Sequence, residues 1–283
     1  MELLWDALTD AMGDTLKLIP FLFAAYLLME YIEHRAAKKS RQLLAQAGRL
    51  GPLWGAAAGL FPQCGFSAAA ANFYTARLIS RGTLIAVFLS TSDEMLPILI
   101  SRAVSPSLIL RILAIKFLMG MTAGFLVDAA GRHFHTVTGS GPQIHELCEQ
   151  EHCDCQAGIW MPALRHTTSI AAFVFAATLL LNITIALTGE DTLAAFLQSL
   201  PLLSVALTAL AGLIPNCAPS VIMTELYLQG ALSFGAAMAG LLVGAGTGLL
   251  ILFRMNRHPK ENLKITAILY GTGMAAGLLL ELF

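Results

Sequence analysis

Residues 59–67 read GLFPQCGFS, and residues 212–220 read GLIPNCAPS. Each stretch puts a proline, an amide and a cysteine into an otherwise apolar run, about 51–76 in the first case and 193–228 in the second. Proline removes a helix hydrogen bond, and such a break survives at membrane depth only where it is buried in protein or lines a cavity. Each run is therefore expected to be a broken helix pair or a re-entrant hairpin. Two short full spans would leave the topology's parity unchanged.

The two motifs lie 153 residues apart. Sliding the chain by that amount places 56–128 on 209–281 without a gap, with 25 of 73 pairs identical. Shared apolar bias would give only about 6 to 8 matches, so the chain is an internal duplication. At an offset of 152, FLFAAYLL from Phe21 also lies on FVFAATLL from Phe173. Each half reads span, broken pair, span, span. Five elements is an odd number, so the second half should enter the membrane upside down. The expected fold is an all-α integral membrane protein of about ten hydrophobic elements in two inverted repeats, 1–130 and 163–283, joined by a linker at 131–162. Inverted repeats with broken helices are the architecture of secondary transporters, whose substrate binds near the midplane.

Composition supports this reading. Of 283 residues, 57% are hydrophobic and 12% charged, with a mean hydropathy of +0.71; soluble domains carry about 25% charged residues. A water-soluble globule, a disordered chain and a disulfide scaffold are excluded. With 17 basic and 18 acidic residues the chain is no nucleic-acid binder. Uninterrupted apolar runs at 16–32, 83–101, 112–130, 163–187, 233–253 and 265–283 are long enough to cross hydrocarbon and lack the period-two alternation of an outer-membrane barrel. Glu2, Asp6, Asp10 and Asp14 precede the first base, so the first run lacks a signal peptide's positive flank and is expected to be retained. Arg35, Lys38, Lys39, Arg41 and Arg49 in one loop, and Arg254, Arg257, Lys260 and Lys264 in another, place both loops in the cytoplasm by positive-inside bias. The 77–81 turn and the linker then fall inside, and both termini fall outside, as do Arg102 and Arg111.

Side chains at the breaks suggest the chemistry. Gln63, Cys64, Asn216 and Cys217 offer an amide oxygen and a thiol at each, beside the unpaired backbone groups of broken helix ends. Thiolate suits thiophilic ions, and oxygen suits harder ones. Small polar residues satisfying broken backbone are the alternative. Asp93 and Glu94 lie two-thirds along the third span, where ionisable groups are costly and functional by default. Read as helical, they point about 100° apart; their counterparts are Gly246 and Thr247. An ion pair with Lys116 or Arg102 is the alternative for them. Glu225, the only Asp, Glu, Lys, Arg or His between 192 and 253, replaces Asn72 of the first half, and Glu30 likewise faces Asn182. A buried carboxylate can hold either a metal or a proton, which a cation/proton antiporter needs. Glycines four residues apart at 120–124, 240–248 and 273–277 are assigned to close helix packing. The linker reads GRHFHTVTGSGPQIHELCEQEHCDC from Gly131. His145, Cys148, Glu149, His152, Cys153 and Cys155 are dense enough to close around one thiophilic or borderline ion, although their spacing matches no standard zinc finger.

The segments FPQCGFSAAAANFY, FLSTSDEMLPILI, IHELCEQEHCDC and GLIPNCAPSVIMTELYLQGAL resemble the bacterial ten-span heavy-metal exporters, also labelled arsenic efflux proteins or manganese transporters. The resemblance runs from about residue 18 to the C-terminus and implies an inner-membrane efflux permease. An arsenite or organoarsenical permease needs neutral or thiol contacts, whereas Asp93, Glu94 and Glu225 argue for a cation; a manganese exporter has little use for a Cys-rich linker. The sequence thus points to a proton-coupled exporter of zinc, manganese or a similar ion, with an arsenical permease as the alternative. It points to the bilayer and the metal as partners, no required cofactor, and no nucleic acid; a homodimer is allowed. An intramembrane enzyme lacks a nucleophile in any span, and no Walker motif supports direct ATP use. A metal sensor working through the linker is a further rival.

Overall fold

A computed structural model describes residues 50–62, 64–92, 95–134, 160–188, 204–216 and 218–282, with scattered helical positions between 5 and 27. The described residues form helices and no strands. In order these are α1 (Gly51–Gly59), α2 (Cys64–Thr75), α3 (Arg81–Ser90), α4 (Met95–Ser101), α5 (Pro106–Phe134), α6 (Trp160–Thr188), α7 (Ser204–Gly212), α8 (Ala218–Leu228), α9 (Phe234–Val243), α10 (Thr247–Met255) and α11 (Pro259–Glu281). Shifting α1, α3 and the start of α5 by 153 residues gives the bounds of α7, α9 and the start of α11.

The directions of these helices resolve the broken runs. Gly51 and Gly55 lie against Thr83, and Gly59 against Val87 and Ser90, so α1 and α3 run side by side in the same direction. The intervening α2 must therefore return to the level at which α1 began. At 1.5 Å per residue, α1 and α2 reach only about 14 and 18 Å, short of a hydrocarbon core of about 30 Å. They form a helical hairpin, its tip marked by Phe61 and Phe66 with ring centroids 5.3 Å apart. The second half does the same: the Thr208 hydroxyl donates to the Ala236 carbonyl at 2.7 Å, and Gly212 lies against Gly240, so α7 and α9 are also parallel.

The long helices α5 and α11 run antiparallel to α3 and α9, and glycine makes the approach possible. A Cβ on Gly124 would stand 2.6 Å from the Gly82 carbonyl oxygen, and one on Gly277 would stand 2.8 Å from that of Gly235. No side chain fits there. At the end of each crossing a carboxylate caps the facing helix. Asp128 accepts from the Ser80 hydroxyl at 2.6 Å and the Gly82 N–H at 2.8 Å; Glu281 accepts from the Ser233 hydroxyl and, at 3.2 Å, from the Ala236 N–H.

Among the described residues four stretches are long and apolar enough to cross a membrane: Arg81–Ser101, Pro106–Gly131, Phe234–Met255 and Pro259–Glu281. Two of these correct the sequence reading, which took 83–101 and 233–253 as continuous helices. The first is interrupted between α3 and α4, so Thr91 and Ser92 before Asp93 and Glu94 are not helical. Here the Ser90 and Thr91 hydroxyls donate to the Ala86 and Val87 carbonyls, both at 2.8 Å, and Thr91 leaves the helix at φ −53 and ψ 126. Such back-bonding competes with the helix ladder. The second is interrupted at 244–246, where Gly246 adopts φ 53 and ψ −142, a conformation essentially reserved for glycine. Neither break carries a proline, and for that reason the hydropathy pattern did not reveal it.

Candidate functional site

Each hairpin leans on the interruption of the opposite half. Gly248, in the first turn of α10, is packed so closely on Ser67, one turn into α2, that a Cβ would come within 2.8 Å of its backbone. In the other direction α8 packs along α4. Helix ends from both hairpins and both interrupted spans thus converge inside the bundle, and the polar side chains there are buried: Ser67, Ser90, Thr91, Ser92, Asn216 and Thr247. Thr247 is 1% exposed, and its hydroxyl has no hydrogen-bond partner among the described residues.

Lys116 on α5 belongs to the same level. Gly120 lies against Ala86 and Ser90, so Lys116, one turn on in the antiparallel direction, stands beside the end of α3. Its side chain is 1% exposed, and its ammonium donates to the Leu241 carbonyl in the last turn of α9. That contact joins a helix of the first half to a broken helix of the second.

The sequence-expected residues are distributed as follows. Cys64 is the first residue of α2, Asn216 is buried just before α8, and Asn182 lies on α6. Glu30, Gln63, Asp93, Glu94 and Cys217, with the linker residues His145, Cys148, Glu149, His152, Cys153 and Cys155, lie outside the described residues. Among the described residues no three His, Cys, Asp or Glu side chains come together. Asn72 is fully buried, accepts from the Tyr26 hydroxyl at 2.9 Å and donates to the Ala68 carbonyl at 3.2 Å.

Glu225, expected as a buried carboxylate, is 26% exposed near the end of α8 and pairs with Arg102. The guanidinium donates through Nε at 3.1 Å and through Nη2 to both carboxylate oxygens at 2.9 and 3.0 Å. The hairpin explains this position: α8 is only 11 residues long, so Glu225 is one turn from its surface loop.

At the opposite end of the bundle sequence reasoning missed a stronger cluster. Glu261, in the first turn of α11, accepts from the Tyr74 hydroxyl, from Arg77 at 3.3 and 3.4 Å and from Arg81 at 2.8 Å. Half-burial by itself would lower the Arg77 pKa, but the hydrogen bonds and charge of Glu261 outweigh it and hold the guanidinium above its ordinary value. The sequence places the 254–264 loop in the cytoplasm by its bases and the 77–81 turn beside it by counting spans; Glu261, the one acid among them, is the available signal.

Interrupted spans, helical hairpins and buried polar groups where they meet define a multi-pass membrane protein of the transporter kind. The chain matches a family described as "Putative, 10TM heavy-metal exporter" over residues 2–171 and 163–283, and it belongs to that family. No curated protein and no solved structure matches it.

Proposed function

We propose that this protein is a secondary active exporter of a divalent or thiophilic heavy-metal ion across the bacterial inner membrane, driven by protons. Its two halves are inverted repeats, and the ion binds where the hairpins meet the interrupted spans. The reading is carried by the crossed packing: helix ends flanking Gln63 and Cys64 lie on the start of α10, and α8, which follows Asn216 and Cys217, lies along α4 beyond Asp93 and Glu94. Such a layout gathers amide, thiol, hydroxyl and carboxylate donors from both halves, and small rocking of one half against the other would expose them to either side. The linker captures metal on the cytoplasmic side before delivery. Membership in a heavy-metal exporter family supports the cargo class.

The test is a metal panel, zinc and manganese included, on purified protein in proteoliposomes under an imposed pH gradient. Metal movement with opposite proton movement is expected, lost in Asp93→Asn and Glu94→Gln; a protein that moves no ion of the panel sinks the reading. A permease for arsenite or an organoarsenical is favoured by one observation, the matching placement of Cys64 and Cys217 153 residues apart. Under that reading Cys64→Ser/Cys217→Ser abolishes transport while the carboxylate variants retain it.

A further inference from the structure

A helix that starts inside the bundle leaves the N–H groups of its first turn without carbonyl partners in the helix, and they form the positive end of its dipole. Two such starts stand side by side here. The helix α2, of 12 residues, begins at Cys64 and α10, of 9 residues, begins at Thr247, with Gly248 seated against Ser67. Both then run toward Glu261: Tyr74 near the end of α2 donates to its carboxylate, and so does Asn256, just after α10, at 3.5 Å. The two helices are therefore parallel, with their positive ends at one level. Neither carries an acidic residue in its first turn.

At the first interruption the chain encodes its own negative charge, since Asp93 and Glu94 immediately precede α4. The repeat puts Gly246 and Thr247 at the matching positions. Gly246 is the N-cap of α10 and supplies no side-chain acceptor to its first turn. A hydroxyl donor is present instead. Helical Cα–Cβ bonds tilt toward the N-terminus, so Thr247, the first residue of α10, carries its side chain back toward the break. That side chain is 1% exposed, and its Oγ1 has no hydrogen-bond partner among the described residues. A buried hydroxyl left unpaired is a cost that a bound acceptor would remove.

We propose that the start of α10 binds a small monovalent anion from solution, chloride or a carboxylate the size of formate. The Thr247 hydroxyl and the first-turn N–H groups of α10 donate to it, and the positive end of α2 lies beside it. The anion stands in for the acids that the first half encodes at the matching positions. A bare cation is disfavoured at the same place, because both helix dipoles repel it. The inference goes beyond the export reading and does not depend on it, because its test uses no cargo.

The experiment measures thermal unfolding of the purified full chain in detergent, in sodium gluconate with increasing replacement by sodium chloride or sodium formate at equal ionic strength. Gluconate is too large for the site. Wild type is expected to gain about 3 °C or more from at least one of the small anions, and the gain should saturate with concentration. General salt effects at the surface do not saturate and act alike on every variant. Thr247→Val keeps nearly the same shape without the hydroxyl. It should unfold no lower than wild type in gluconate, because no hydrogen bond is lost, and should keep less than half of the gain. Thr247→Ser, which retains the hydroxyl, should keep most of it. The proposal is overturned if wild type unfolds at the same temperature in all three salts, or if Thr247→Val gains as much as wild type. It is equally overturned if Thr247→Ser loses the gain as fully as Thr247→Val. A Thr247→Val protein that fails to fold, or that unfolds well below wild type in gluconate, overturns it too, since the hydroxyl would then have a structural partner.

Discussion

The contacts within each half and the contacts between the halves follow opposite rules. Within a half, the features that set the backbone occur twice. Ser80 and Ser233 cap α3 and α9 through their hydroxyls, Asp128 and Glu281 brace those caps, and Gly82–Gly124 is matched by Gly235–Gly277. Even the left-handed turn after α2 at Arg77, φ 58, recurs after α8 at Gly230, φ 73. The polar contacts between the halves among the described residues have no counterpart under the repeat. Glu261, Arg77 and Arg81 correspond to Leu108, Gly230 and Phe234; Arg102 and Glu225 correspond to Met255 and Asn72; Lys116 corresponds to Leu269. The duplicated part is what each half needs in order to fold, and the unmatched part governs how the halves are held. The two ends of the bundle are consequently unequal, with one carboxylate serving three donors at one end and a single, more exposed ion pair at the other.

The sharpest way to break this contrast is at Glu261. Glu261→Ala removes the shared acceptor and leaves Arg77 and Arg81 facing each other, half-buried; a loss of roughly 2–3 kcal/mol is expected, read as a fall in the thermal midpoint of the purified protein. If export requires this end to open, the same variant should shift the protein toward the state open there, seen as increased labelling of a cysteine placed at Ser80. Removing the caps should give an intermediate and, above all, equal effect. Ser80→Ala and Ser233→Ala should each cost about 1 kcal/mol. A difference of more than a factor of two between them would show that the halves are not equivalent scaffolds. The smallest effect is expected at the exposed pair: a double-mutant cycle of Arg102→Ala and Glu225→Ala should give a coupling of about 0.5–1 kcal/mol that shrinks in high salt. A coupling as large as the Glu261 loss would erase the distinction between the two ends.

Much of the plan was legible in the chain. The breaks at 60–63 and 213–217 announce themselves through Pro62 and Pro215, and the glycine pairs through their four-residue spacing, because proline and glycine act on the backbone wherever they stand. The interruptions between α3 and α4 and between α9 and α10 were not legible. They depend on serine and threonine turning back onto carbonyls and on a glycine at positive φ, and neither alters the hydropathy of the run. Glu225 shows the limit for charges: a solitary acid in an apolar stretch reads as intramembrane, but its depth depends on whether the helix crosses or returns. Its partner Arg102 lies 123 residues away.

By itself the sequence determined that this is a multi-pass, all-helical membrane protein built from a duplication, because apolar length, proline and glycine act locally and a repeat needs only comparison of the chain with itself. It also determined the family, through motifs long enough to be specific. Only the tertiary structure decided that the hairpins turn back, that each leans on the interruption of the opposite half, and that Lys116, Glu261 and Glu225 are charged groups through which the halves also touch. The physical reason is that these facts rest on the relative direction of helices far apart in the chain. Direction is fixed by packing, as when Gly51 and Gly59 meet the two ends of α3, and hydropathy carries no record of it.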